Sequence, residues 1–200
     1  LYSYLSIKMF EMKKAFNVLT IGVGACTILL GSCKRDDDLP EVPQPVVNEP
    51  EVITTVELHF TEQTSGDHVH AEWSDPDGPG GDDPVVEEII LDSGKAYDLE
   101  IMFLDESGDT AEDMTSEVKE EDDEHIICFE PEGDLDGNLE IVRTDSDGTH
   151  EVGLESTWTA LGKASGELHL SLKHQTDGSK DGTCTPGATD VEVHFDVTIN

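Results

Sequence analysis

Positive charge is what this chain has least of. Its 200 residues carry 11 Lys and Arg against 46 Asp and Glu, a formal net charge of −35. Nucleic acid and anionic lipid headgroups need clustered basic side chains, so this field excludes them as partners. Cations and basic surfaces suit it, although acidity also simply keeps a surface solvated and soluble. Enzyme signatures are missing too: no Gly-x-Ser-x-Gly, His-Glu-x-x-His, glycine-rich phosphate loop or Cys-x-x-Cys occurs. Carboxylates are so numerous that none is marked out as half of an acid–base pair. This reads as a non-catalytic protein. There is no internal repeat, and the longest apolar run, Ala15 to Leu30, falls short of the roughly 20 residues of a membrane span.

What that run does contain is an address. Residues 1–11 read as a gene-call extension, because Met12-Lys13-Lys14 makes a better start for the apolar stretch that follows. Residues 12–32 then read as a signal peptide. Leu30-Gly31-Ser32-Cys33 resembles the lipobox of bacterial lipoproteins, in which the cysteine is acylated and becomes the mature N-terminus. Val23-Gly24-Ala25-Cys26 fits the same pattern, but cleavage there would leave Thr27 to Leu30 apolar beyond the anchor, so Cys33 is the expected lipidation site. Lys34-Arg35-Asp36-Asp37-Asp38 resembles the signal that carries Bacteroidota lipoproteins to the outer leaflet of the outer membrane. The expected location is therefore the outer membrane, lipid-anchored and surface-exposed, with periplasmic retention as the alternative. Residues 33–51 form the anchor and an acidic tether whose Pro40, Pro43, Pro45 and Pro50 favour extended geometry. Without residues 1–32 the chain keeps 8 basic side chains (11 less Lys8, Lys13 and Lys14) and 45 acidic ones (46 less Glu11), a net charge of −37.

Residues 52–200 are long enough for one domain with a real core. Their signal is alternation: Val56, Leu58 and Phe60 against Glu57 and His59; Val69, Ala71 and Trp73 against His68, His70 and Glu72; Leu168, Leu170 and Leu172; and Val191, Val193, Phe195, Val197 and Ile199. Further strands are expected over 85–91, 96–104, 125–129, 139–143 and 156–161. Period two between Gly, Asp and Ser clusters predicts an all-β fold, an antiparallel β-sandwich of immunoglobulin-like type. Trp73 and Trp158 fall in phase with the core. The stretch "AEDMTSEVKEEDDEH" breaks the pattern and predicts one short helix or an acidic loop. Cys128 and Cys184 are expected to form a disulfide in an exported chain, two free thiols being the alternative.

The order "TTVELHF…AEWSDPDGPGG…YDLEIMFLDES…EDDEH" resembles short, uncharacterised Bacteroidota envelope lipoproteins, often labelled as a type 1 periplasmic binding fold. That label requires two α/β lobes, which this periodicity does not supply. The resemblance implies an envelope lipoprotein working beside a TonB-dependent outer-membrane receptor.

Two constellations suggest a ligand. A hairpin that pairs Phe60 with Val69 and Leu58 with Ala71 also sets His59 opposite His70 and Glu57 opposite Glu72, with Cβ atoms about 5 Å apart. Two imidazoles at that spacing can share a divalent metal, zinc or copper. His194 would add a third nitrogen if the last strand lay beside the first. In "SDPDGPGGDDP", Asp75, Asp77, Asp82 and Asp83 supply oxygens of the kind calcium takes, without the EF-hand spacing. Turn chemistry explains the same residues, and "GDLDGN" and "DSDGTH" read first as hairpin turns. The expected function is a binding or accessory module capturing a cation or metal complex; the competing one is a structural or adhesive surface protein.

Overall fold

Alternating burial along the chain resolves into strands in the computed structural model, which describes residues 51–200. Cys33, the expected signal segment and the proline-rich stretch to Pro50 lie outside the described residues. The elements are β1 (Thr55–Glu62), β2 (His68–Ser74), β3 (Val85–Val86), β4 (Ile89–Leu91), β5 (Lys95–Asp105), β6 (Glu112–Asp113), α1 (Thr115–Glu120), β7 (His125–Pro131), β8 (Leu139–Arg143), β9 (Glu155–Ala160), β10 (Ala164–His174) and β11 (Ala188–Ile199). One sheet runs β3-β2-β1-β5-β9-β8 with β6 beside β5, and the other runs β4-β11-β10-β7. All neighbours are antiparallel except β4 and β11. The antiparallel β-sandwich expected from the periodicity is the fold.

The inner faces carry the predicted residues. Val56, Leu58, Phe60, Leu168, Leu170, Leu172 and Phe195 have no exposed surface. Trp158 is equally buried and meets Phe60 and Phe129 edge-on, at 5.0 and 5.7 Å between ring centroids. Trp73 is only half-buried, packed at the margin of the core. The run expected as one strand over 85–91 splits, because β3 pairs with β2 in one sheet while β4 pairs with β11 in the other. Glu87 and Glu88 are where the chain crosses between the layers.

The acidic stretch forms a helix of one and a half turns. Asp113 Oδ1 accepts from the Thr115 N–H at 3.0 Å, the Thr115 hydroxyl accepts from the Phe103 N–H at 2.9 Å, and Val118 is fully buried. Cys128 and Cys184 are joined in a disulfide. It links edge strand β7 to the long β10–β11 connection and so stays on one sheet. Nearby, Lys180 Nζ reaches the Asp122 carbonyl at 2.6 Å and Asp147 Oδ2 at 2.8 Å. Gln175, fully buried, donates to the Thr183 and Pro186 carbonyls at 2.7 and 3.1 Å. Bridge, ion pair and amide together hold this connection over the end of its sheet. No helix among the described residues is long and apolar enough to cross a membrane.

Candidate metal centres

Outward-facing positions on β1 and β2 pair as the hairpin register predicts: His59 with His70 and Glu57 with Glu72. The imidazole centroids lie 4.9 Å apart. Glu57 Oε2 is 2.8 Å from His59 Nε2, and Glu57, His59 and His70 each place a ligand atom within 4.8 Å of the others. His70 Nδ1 also meets Glu87 Oε2 at 3.2 Å. Glu72 stands outside this trio. Its burial pushes its carboxyl up, and the like charges of Glu57 and Glu87 add to the effect.

His194 belongs elsewhere. Strand β1 is flanked by β2 and β5, whereas β11 lies in the opposite sheet, so His194 cannot join His59. It pairs instead with His169 on β10, the two rings stacked at 3.8 Å. Glu167 Oε1 sits 2.7 Å from His169 Nε2 and 3.5 Å from His194 Nδ1. These three side chains also converge within 4.8 Å. The outcome is a duplicated construction: a Glu-x-His on one strand and a His directly opposite on its antiparallel partner, once on each outer face of the sandwich.

The Asp loop gathers less than expected. Asp77 Oδ2 is taken up by the Asp82 N–H at 2.9 Å, and the groups that converge as metal donors among the described residues do not include Asp75, Asp77, Asp82 or Asp83. Asp75 and Asp77 meet side chain to side chain, and burial followed by this neighbour raises the Asp75 carboxyl. Calcium's six to eight oxygens are not assembled there. The loop instead walls a cleft of about 450 Å³ with Trp73, and Glu51 and Asp190 are also among its lining residues.

Glu51 and Asp190 lead to a third centre, which no spacing along the chain marks out. Glu51, expected at the end of the tether, is buried in the domain. His125 opens β7 and His174 closes β10; they are cross-strand partners, stacked at 4.3 Å and almost wholly buried. His125 Nε2 lies 3.2 Å from Glu51 Oε1 and 3.6 Å from Asp190 Oδ2. His174 Nδ1 lies 3.4 Å from Glu51 Oε2 and 3.8 Å from Asp190 Oδ2. Asp190 arrives by a β-bulge: Leu172 pairs with Val191 and Lys173 with Thr189, which leaves Asp190 unpaired and turned inward. On the solvent side, Glu124 and Glu121 approach His174 Nε2 at 3.5 and 4.0 Å.

The electrostatics follow from this enclosure. Burial disfavours the charged forms, but against it Asp190 and Glu51 hold the His125 imidazole up at about 9. For Glu51 the contacts with His125 and Asp190 likewise outweigh burial and hold the carboxyl down at about 2. Burial raises the Asp190 carboxyl, and adjacent Glu51 reinforces that against the pull of His125.

One signal for this site was present in the sequence, since His174 continues the inward phase of Leu168, Leu170 and Leu172. No known protein family, curated protein or solved structure matches this chain.

Proposed function

We propose that the chain is a non-catalytic, divalent-metal-binding module of the cell envelope, presenting one metal site on each outer face of its sandwich. The observation that carries this reading is the repetition of one donor arrangement, Glu57-x-His59 with His70 and Glu167-x-His169 with His194, on two separate sheets. Exposed acidic residues are plentiful here, but paired imidazoles are not, and imidazole selects zinc or copper over calcium. The surrounding negative field raises the local concentration of any cation that approaches. A lipid anchor at Cys33 would hold the module at the outer membrane, and delivery to a neighbouring receptor is the role such a placement suits.

The test is calorimetric titration of tag-free protein with zinc, copper and calcium, repeated on His59→Ala/His70→Ala and on His169→Ala/His194→Ala. Each double variant is expected to lose one equivalent of zinc or copper. Binding no tighter than about millimolar in the wild type, the level any strongly acidic surface reaches, would leave a structural or adhesive protein.

A further inference from the structure

The buried centre has donor spacings that hydrogen bonding does not explain. Its four nitrogen-to-oxygen separations, 3.2, 3.4, 3.6 and 3.8 Å, run from His125 Nε2 and His174 Nδ1 to Glu51 and Asp190. A hydrogen bond would draw such charged partners to about 2.7–2.9 Å. Here His125 Nε2, Glu51 Oε2 and both Asp190 oxygens are buried without any hydrogen-bond partner. A tetrahedral ion with bonds of about 2.0–2.2 Å has ligand-to-ligand edges of roughly 3.3–3.6 Å. The observed spacings bracket that range.

The outer contacts agree with ligation. His125 Nδ1 lies 3.1 Å from the Glu121 carbonyl and donates its N–H there, so Nε2, protonated in the metal-free protein, is the nitrogen whose proton a cation would displace. His174 presents Nδ1 inward while Nε2 faces Glu124. Metal-ligating histidines characteristically hand their second nitrogen to a carbonyl or carboxylate, as His125 does, whereas His174 Nε2 stays 3.5 Å from Glu124 Oε2 without a hydrogen bond. Charge agrees as well. Once the ion has displaced the His125 proton, two carboxylates and two neutral imidazoles sum to −2, which a divalent cation cancels in a place where uncompensated charge is costly.

Glu51, His125 and His174 converge with Glu121 within 4.8 Å, and Asp190 Oδ2 lies 3.6 and 3.8 Å from the two rings on their buried side; we propose that Glu51, His125, His174 and Asp190 form a buried, four-coordinate site for one divalent transition-metal ion of the zinc type, with Glu121 at its rim. It is a site of a different kind from the surface pairs: four protein donors leave no open position, as in structural metal sites. Because Glu51 precedes β1 and follows the proline-rich segment in the sequence, occupancy would tie the chain ahead of β1 to β7, β10 and β11. The ion's binding free energy then adds to folding.

The experiment uses the full chain, purified in detergent without an affinity tag, carrying His59→Ala, His70→Ala, His169→Ala and His194→Ala so that the surface pairs are gone. After zinc loading and dialysis against a weak chelator, this variant should keep one equivalent of zinc and melt at a higher temperature than its metal-free form. Cobalt in place of zinc should give the strong visible absorption of a four-coordinate ion. Adding Asp190→Asn or His174→Asn should abolish retention. Asp190→Asn keeps size and shape, and its circular dichroism shows whether the fold persists. A surface-pair variant that retains no zinc, shows no thermal shift, or gives only the weak cobalt spectrum of a six-coordinate ion would overturn the buried site and leave the surface sites standing. Retention by the surface-pair variant with unchanged wild-type titration would do the reverse.

Discussion

His125 and His174 are direct partners across the β7–β10 ladder, and their stacked rings close the end of that sheet beneath the β10–β11 connection. The pairing puts two imidazoles where Glu51 and Asp190 are already enclosed. An inward-facing polar cluster of this sort destabilises a core unless every charge has its counterpart. Glu51 is the member whose loss is most informative, since it touches both rings. In chelator-treated protein, Glu51→Ala should lower stability by about 3–5 kcal/mol, the usual consequence of stranding a buried charge. Urea denaturation of the two proteins measures it.

Lys180 gives a second case, with a pH signature. Its ammonium and the N–H groups of Thr149 and His150 overcome burial and hold the Asp147 carboxyl at about 2, below its ordinary 3.8. A depressed carboxyl contributes stability above its unfolded value and loses it as pH falls through the folded one. Wild type should therefore exceed Asp147→Asn in stability at neutral pH. The gap should close as pH drops from 3.8 towards about 2. Thermal melts of both proteins across that interval test it, and a gap that widens on acidification would refute the assignment.

The Cys128–Cys184 bridge spans a sequence separation of 56 residues. Loop-closure entropy assigns such a link a nominal stabilisation of about 4 kcal/mol. Cys128→Ser/Cys184→Ser should show most of that loss in denaturant. Protease cleavage should appear first in residues 175–187, which the bridge ties to β7. Intact mass before and after reduction should differ by two hydrogens.

Gly187 should tolerate no side chain. Its φ of 89° is unfavourable for L-residues, and an added Cβ would run into the His174 backbone carbonyl and Gln175. Gly187→Ala is expected to cost at least about 1–2 kcal/mol from backbone conformation alone. Because the clash falls on His174, the same variant should weaken zinc retention at the buried centre, read by dialysis.

Substitutions on the outer faces should behave oppositely. His59→Ala and His169→Ala remove half-exposed rings that carry no core packing. Both should leave the denaturation midpoint within the roughly 0.5 kcal/mol typical of surface changes while reducing metal binding. A large stability loss would mean that these rings are structural.

Period-two alternation determined the layered β fold, the inward residues of β1, β10 and β11, and the pairing of His59 with His70. Each depends only on neighbours along a strand or across a short hairpin, and local spacing carries that information. The tertiary structure alone decided that His194 meets His169, that the Asp loop walls a cleft, and that Glu51, His125, His174 and Asp190 converge. Sheet order is set by long-range packing of whole faces, which alternation does not encode. Asp190 turns inward only through a bulge that slips its ladder by one residue, and with 46 acids in the chain no composition or spacing could mark it out.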